Sequence, residues 1–145
     1  MRGAGLEPLP PIILPYAREV HFFEFGLEVL EQQTEQISLL ASHLCQPDRP
    51  TAIFAMNDLA AYQALRAAKQ AGLRVPDDLA VVGFDNFYFC AHLDVPLTSV
   101  AQDPVAIGSR ACELLIDQIE GNQPKPTSVR LPVRLVVRES TVGSA

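Results

Sequence analysis

Two polar pairs are the side chains best placed to do chemistry: Asn57-Asp58 and Asp85-Asn86, each directly after a short apolar run. An amide offers both donors and acceptors, and a carboxylate accepts several hydrogen bonds, so such pairs suit the hydroxyls of a sugar or nucleoside. Helix capping and turn formation use the same residue types, and the residues alone leave both readings open. The chain holds no glycine-rich phosphate loop, no Gly-x-Ser-x-Gly nucleophile turn, and no His and Cys at metal-ligand spacing. His21, His43 and His92 are scattered, so neither a catalytic base nor a metal or cofactor is expected. Cys45, Cys90 and Cys112 lie among apolar neighbours and read as small buried hydrophobes in a reducing compartment.

Periodicity indicates the elements that must hold these pairs. Residues 51–55 and 79–84 are apolar runs of the length expected for buried parallel strands. Between them Leu59, Tyr62, Leu65, Ala68 and Ala71 recur at helical spacing, with Asn57 or Asp58 as N-cap and Gly72 as the left-handed residue that ends the helix. Strand, helix, strand in about 30 residues is a parallel crossover, which makes the fold class α/β. If the two strands are neighbours, their polar tips share one cleft beyond the carboxyl ends, where open parallel sheets bind ligands.

Further along, residues 97–101 read as another strand, followed by Asp103-Pro104 as the N-cap and first turn of a helix reaching Ile119. Its apolar face is Ile107, Ala111, Leu114, Leu115 and Ile119, and Gly121-Asn122 closes it. Val129, Leu131, Val133, Leu135 and Val137 then alternate with Arg130, Arg134 and Arg138, the pattern of a half-exposed strand with its arginines on a solvated face. Upstream, residues 22–45 read as one long helix or two short ones, closed by Pro47 and Pro50. Residues 1–15, with four prolines, read as an extended arm or a cloning remnant, and residues 16–145 as one domain.

A chain of 145 residues with 48% hydrophobic content can bury a core without disulfides or a metal. With 11 basic against 17 acidic residues, its net charge of -6 argues against direct binding to nucleic acid, which requires neutralised phosphates. No apolar run of about 18 residues offers a membrane span, and the first residues lack the apolar centre of a secretion signal. A cytoplasmic protein without a membrane partner is expected.

Several segments carry a resemblance, and they follow in order from Pro50 to Thr141. They are Pro50-Thr51-Ala52-Ile53-Phe54-Ala55-Met56-Asn57-Asp58, Ala71-Gly72-Leu73-Arg74-Val75-Pro76-Asp77-Asp78, Val81-Val82-Gly83-Phe84-Asp85-Asn86, Pro96-Leu97-Thr98-Ser99-Val100, and the ending Val137-Arg138-Glu139-Ser140-Thr141. Together they resemble the C-terminal half of lac and galactose repressor family regulators. The resemblance implies a periplasmic-binding-protein type of effector domain, mostly one lobe of it, which dimerises and controls a helix-turn-helix DNA-binding domain that these 145 residues lack. It assigns effector contacts to Asn57 and Asp85, a ligand-stacking aromatic to Phe22 or Phe23, and an apolar dimer contact to Tyr62 and Leu93. Gln63 departs from the family, where glycine is common. The implied function is sensing of a small-molecule effector, a sugar or nucleoside, by a homodimeric regulator that meets DNA only through the other domain. A fragment of a periplasmic sugar-binding transport protein is the alternative, and a small α/β enzyme lacks the motifs it would need.

Overall fold

The computed structural model describes residues 10, 34–122 and 128–142. In chain order the elements are α1 (Thr34–Leu44), β1 (Ala52–Phe54), α2 (Asp58–Gln70), β2 (Ala80–Asp85), a short 3-10 turn (Tyr88–Ala91), β3 (Thr98–Ala101), α3 (Pro104–Ile119), β4 (Arg134–Val136) and α4 (Glu139–Val142). The strands form one sheet in the order β1-β2-β3-β4, in which β1, β2 and β3 run parallel and β4 pairs antiparallel with β3. The α/β class read from the sequence is the observed one. The proline-rich arm, His21, Phe22, Phe23 and the upstream part of the expected first helix lie outside the described residues.

Why α2 lies so close to the sheet is written in its alanines. Ala61, Ala64, Ala67 and Ala68 are buried, whereas Leu59, Tyr62 and Leu65 of the expected stripe are only half-buried at its flank. Small side chains let the helix axis approach β2, and Gly83 completes the fit. A Cβ at Gly83 would run into the Asp58 carboxylate and would lie 3.2 Å from Leu97 and 3.3 Å from Ala61. On the other side of α2, α1 contributes Ile37, Leu40, Ala41 and Leu44 to the same core. Gln63, the departure from the family, is buried there and donates from Nε2 to Gln36 Oε1 at 3.2 Å.

The chain ending is a polar clamp rather than a simple strand. Ser140 Oγ donates to the Val81 carbonyl at 2.6 Å and accepts from the Thr98 amide at 2.8 Å, tying together β2 and β3. Thr98 Oγ1 in turn donates to the Arg138 carbonyl at 2.9 Å and accepts from the Arg138 amide at 2.7 Å. The two Ser140 bonds are buried, so each satisfies a backbone atom that would otherwise be stranded, and the two Thr98–Arg138 bonds are part-buried.

Three expectations need correction. β1 is not a buried strand: it stands at the edge of the described sheet, with Ala52 and Phe54 exposed. The half-exposed strand from Val129 to Val137 shortens to Arg134–Val136, and Val133, Leu135 and Val137 face outward because no described element packs over them. α3 forms where the sequence places it, with Asp103 accepting from the Ala106 amide at 2.9 Å, and no residue of its apolar face is buried. Periodicity identifies an apolar face but not what covers it. Arg138 is not part of a solvated face either, since it is half-buried and its guanidinium donates to the Leu97 carbonyl and to Asn86 Oδ1.

The cysteines divide as well. Cys90 is buried, and burial, together with the hydrogen bond and charge of Asp58, pushes its thiol up to about 12. Cys45 and Cys112 are exposed, contrary to the expectation of buried hydrophobes, because each sits at or beyond the solvent side of a helix whose other positions make the core contacts or none. In the native chain at neutral pH, a disulfide-exchange reagent is therefore expected to modify Cys45 and Cys112 rapidly and Cys90 only after denaturation. Mass mapping of the modified thiols checks this, and rapid native labelling of Cys90 would contradict the burial.

Candidate ligand-binding site

Parallel pairing places the carboxyl ends of β1, β2 and β3 along one edge, so the residues that follow them are neighbours. Asn57 lies beyond β1, Asp85 and Asn86 end β2, and Gln102 follows β3. The sheet leaves β2 through an unusual turn in which Asp85 has φ of 109° and Asn86 φ of 57°. Positive φ is costly for residues with a Cβ, although Asn and Asp bear it better than most, and it persists where surrounding bonds over-determine it.

Those bonds are present. The Asn86 amide donates to Ser99 Oγ at 3.0 Å, and Ser99 Oγ donates to Asp58 Oδ1 at 2.6 Å. The Phe87 amide donates to Asp58 Oδ2 at 2.7 Å, so both oxygens of a fully buried carboxylate hold the turn from behind. Asn86 Oδ1 accepts from Arg138 Nη2 at 2.8 Å. Held this way, Asp85 faces a cleft of roughly 800 Å³ lined also by Tyr88, Gln102, Asp103, Pro132 and Arg134.

Within the cleft, Gln102 Nε2 donates to Asp85 Oδ1 at 2.6 Å. Burial raises the Asp85 carboxyl above its ordinary range, the Gln102 hydrogen bond opposes the rise, and the neighbouring Asp58 charge adds to it. A carboxylate beside a side-chain amide, both backed by rigid strand ends, can accept from and donate to adjacent hydroxyls. Among the described residues no group of three or more His, Cys, Asp and Glu could hold a metal ion.

The sequence-derived site residues are not all equivalent in the fold. Asp85 lines the cleft. Asn57 stands at the neighbouring strand end but its Oδ1 caps α2 by accepting from the Ala60 amide at 2.8 Å, leaving its side-chain N–H groups as what it can offer a ligand. Tyr62 and Leu93 do not line the cleft, and both are half-buried. The Tyr62 ring meets Phe89 edge-on at 6.5 Å, and its hydroxyl accepts from Arg66 at 3.0 Å. Sequence reasoning missed Gln102, although the rule that selected Asp85, a polar residue directly after a strand, applies to it equally. It also missed the supporting trio of Asp58, Ser99 and Arg138, whose bonds join segments far apart in the chain.

Comparison with known proteins agrees with this architecture. Residues 15–141 match the periplasmic binding protein-like domain. The chain is 42% identical over 141 residues to the HTH-type transcriptional repressor CytR of Escherichia coli strain K12, covering 97% of this chain and 38% of the repressor. Among solved structures, a lac repressor dimer bound to operator and the anti-inducer ONPF superposes with a TM-score of 0.66 and 33% identity, covering 74% of this chain and 37% of that one. A LacI family transcriptional regulator from Arthrobacter sp. FB24 in complex with lactose gives 0.64 and 34%, covering 72% and 40%. The chain thus spans about two fifths of the length of the repressor it matches.

Proposed function

Because the chain belongs to the periplasmic binding protein-like domain family, in the form carried by LacI-type transcription repressors, we propose that it is the effector-sensing region of such a regulator. The observation that carries this reading is Asp85, held in a left-handed turn at the end of a central strand and aimed with Gln102 into the cleft. The effector is a polyhydroxylated small molecule, a sugar or a nucleoside, bound at the strand ends by Asp85, Gln102 and the Asn57 amide. Residues 16–145 contribute most of one lobe, so contacts from a second lobe add to the affinity in a longer protein. The region acts by binding rather than by catalysis, in the cytoplasm, and DNA recognition belongs to a helix-turn-helix domain outside this sequence.

Calorimetric titration of the chain with cytidine, adenosine, ribose, lactose and cellobiose tests the reading. At least one of these probes is expected to bind, and Asp85→Ala should weaken that binding by about 1 to 3 kcal/mol, because ligand hydroxyls then lose a desolvated partner. Asn57→Ala should do so less, since its Oδ1 is committed to the α2 cap and only its side-chain N–H groups remain to offer a ligand. Acidification should act in the same direction. The charged carboxylate accepts hydroxyl protons, and Asp85 titrates above the ordinary aspartate range, so affinity is lost as pH falls through that raised value. Unchanged affinity in Asp85→Ala would assign the residue to the turn alone.

Self-association is part of the same proposal. Tyr62 and Leu93, both half-buried, are the residues through which a symmetric pairing would set two copies face to face. Sedimentation equilibrium of Tyr62→Asp and Leu93→Asp is expected to find folded monomers where the unmodified chain is a dimer. Unfolding of both variants would place the two side chains in the core instead.

A further inference from the structure

We propose that Arg138 is a positioning residue of the effector site: by gripping Asn86 it holds the left-handed turn that aims Asp85 into the cleft. The proposal rests on the effector-site reading above, and its geometry is separate from the ligand contacts themselves. Arg138 is anchored before it reaches the turn. Its backbone N–H and carbonyl are both bonded to Thr98 Oγ1, at 2.7 and 2.9 Å, and Nη1 donates to the Leu97 carbonyl at 2.7 Å. A guanidinium is planar and rigid, so fixing one nitrogen fixes the others, and Nη2 is thereby presented to Asn86 Oδ1 at 2.8 Å.

The turn needs such a hold. Two consecutive residues with a Cβ stand at positive φ, and the bonds from Ser99 and Asp58 grip the backbone amides of Asn86 and Phe87. Among the described residues, Arg138 supplies the bond that grips the Asn86 side chain. Its position in the chain gives the contact a further consequence. Pro132, Val133 and Arg134 line the same cleft and lead through β4 directly to Arg138. A displacement of that wall is therefore carried, through a few residues and one guanidinium, to the turn that bears Asp85.

The test compares Arg138→Met, which keeps the apolar stem and removes the fork, with Asn86→Gly, which removes the acceptor and still permits positive φ. Both are measured first without ligand. Nuclear magnetic resonance follows the Asp85 carboxyl titration and the hydrogen exchange of the Asn86 and Phe87 amides, with Val81 and Leu44 amides as core references. In either variant the Asp85 midpoint is expected to fall toward the ordinary aspartate range as the side chain gains water. The two turn amides should exchange about tenfold faster while the core amides do not change.

The double variant should be no worse than either single one. With whichever of the nucleoside and sugar probes binds the unmodified chain, affinity should drop about tenfold, the size expected for one charge-assisted hydrogen bond. If Arg138→Met fails to fold, Asn86→Gly alone carries the test. Unchanged Asp85 titration and unchanged turn exchange in a folded variant would overturn the proposal and leave Arg138 as a tie to Leu97. Shifted titration and exchange in a chain that binds none of the probes would overturn the effector-site reading on which the proposal rests.

Discussion

Replacing Asp58 by Ala is expected to destabilise the fold by about 2 to 6 kcal/mol, the sum of two stranded donors at roughly 1 to 3 kcal/mol each. The carboxylate is fully buried and takes the Ser99 hydroxyl at 2.6 Å on one oxygen and the Phe87 amide at 2.7 Å on the other. Removing it leaves both donors facing apolar surroundings and opens a void over Gly83, whose missing Cβ exists to admit this side chain. Since a domain of this kind has only about 5 to 15 kcal/mol of stability, the loss is a large fraction of the whole. Urea unfolding should show it as a lower midpoint at constant slope. Asp58→Asn should cost less, because Oδ1 can keep the Phe87 amide while Nδ2 faces the Ser99 hydroxyl, which can accept but then loses its own acceptor. A loss below about 1 kcal/mol for Asp58→Ala would mean that water replaces the carboxylate, and that the strand-end turn does not depend on it.

Ser140→Ala is the second large effect. The hydroxyl stands between β2 and β3, donating to the Val81 carbonyl at 2.6 Å and accepting from the Thr98 amide at 2.8 Å, and it is fully buried. Both are backbone groups with no route to solvent, so the substitution should cost about 2 to 4 kcal/mol with little change in volume. Melting followed by circular dichroism is expected to shift down by on the order of 10 °C. Because β3 carries Ser99 and leads to Gln102, the loss should also loosen the site. Hydrogen exchange of the Thr98 amide distinguishes this from a general weakening: it should rise toward the rate of exposed amides well before the α2 amides do. A variant as stable as the unmodified chain would show that the C-terminal clamp merely decorates the sheet.

Much of the architecture was legible because it follows from local rules. The apolar runs around Ile53 and Val81 gave the parallel strands, Asn57 and Asp103 gave the caps, and Gly72 and Gly121 gave left-handed residues at helix ends, with φ of 72° and 76°. What was not legible depends on partners distant in sequence. Asp58 follows an obvious N-cap residue and looks like a second capping candidate; nothing local announces that Ser99 and Phe87 will meet it. Arg138 stands in an alternating pattern that normally marks a wet face, and only the fold turns it inward. The apolar faces of α3 and β4 were legible as apolar, but what covers them was not, since burial is a property of the neighbouring surface. For the site, the strand-end rule found Asn57 and Asp85 but was not extended to Gln102, the position where the same rule holds for β3.

The most direct test of the central claim, that the carboxyl edge of the parallel strands binds a polyhydroxylated effector, is amide chemical-shift mapping of the isotopically labelled chain. Titration with the nucleoside or sugar that binds should move the signals of Asn57, Asp85, Asn86 and Gln102 most, saturably, and the response should vanish in Asp85→Ala while the rest of the spectrum keeps its folded dispersion. Saturable shifts centred on α3 or on the edge strand β1, undiminished in Asp85→Ala, would contradict the account.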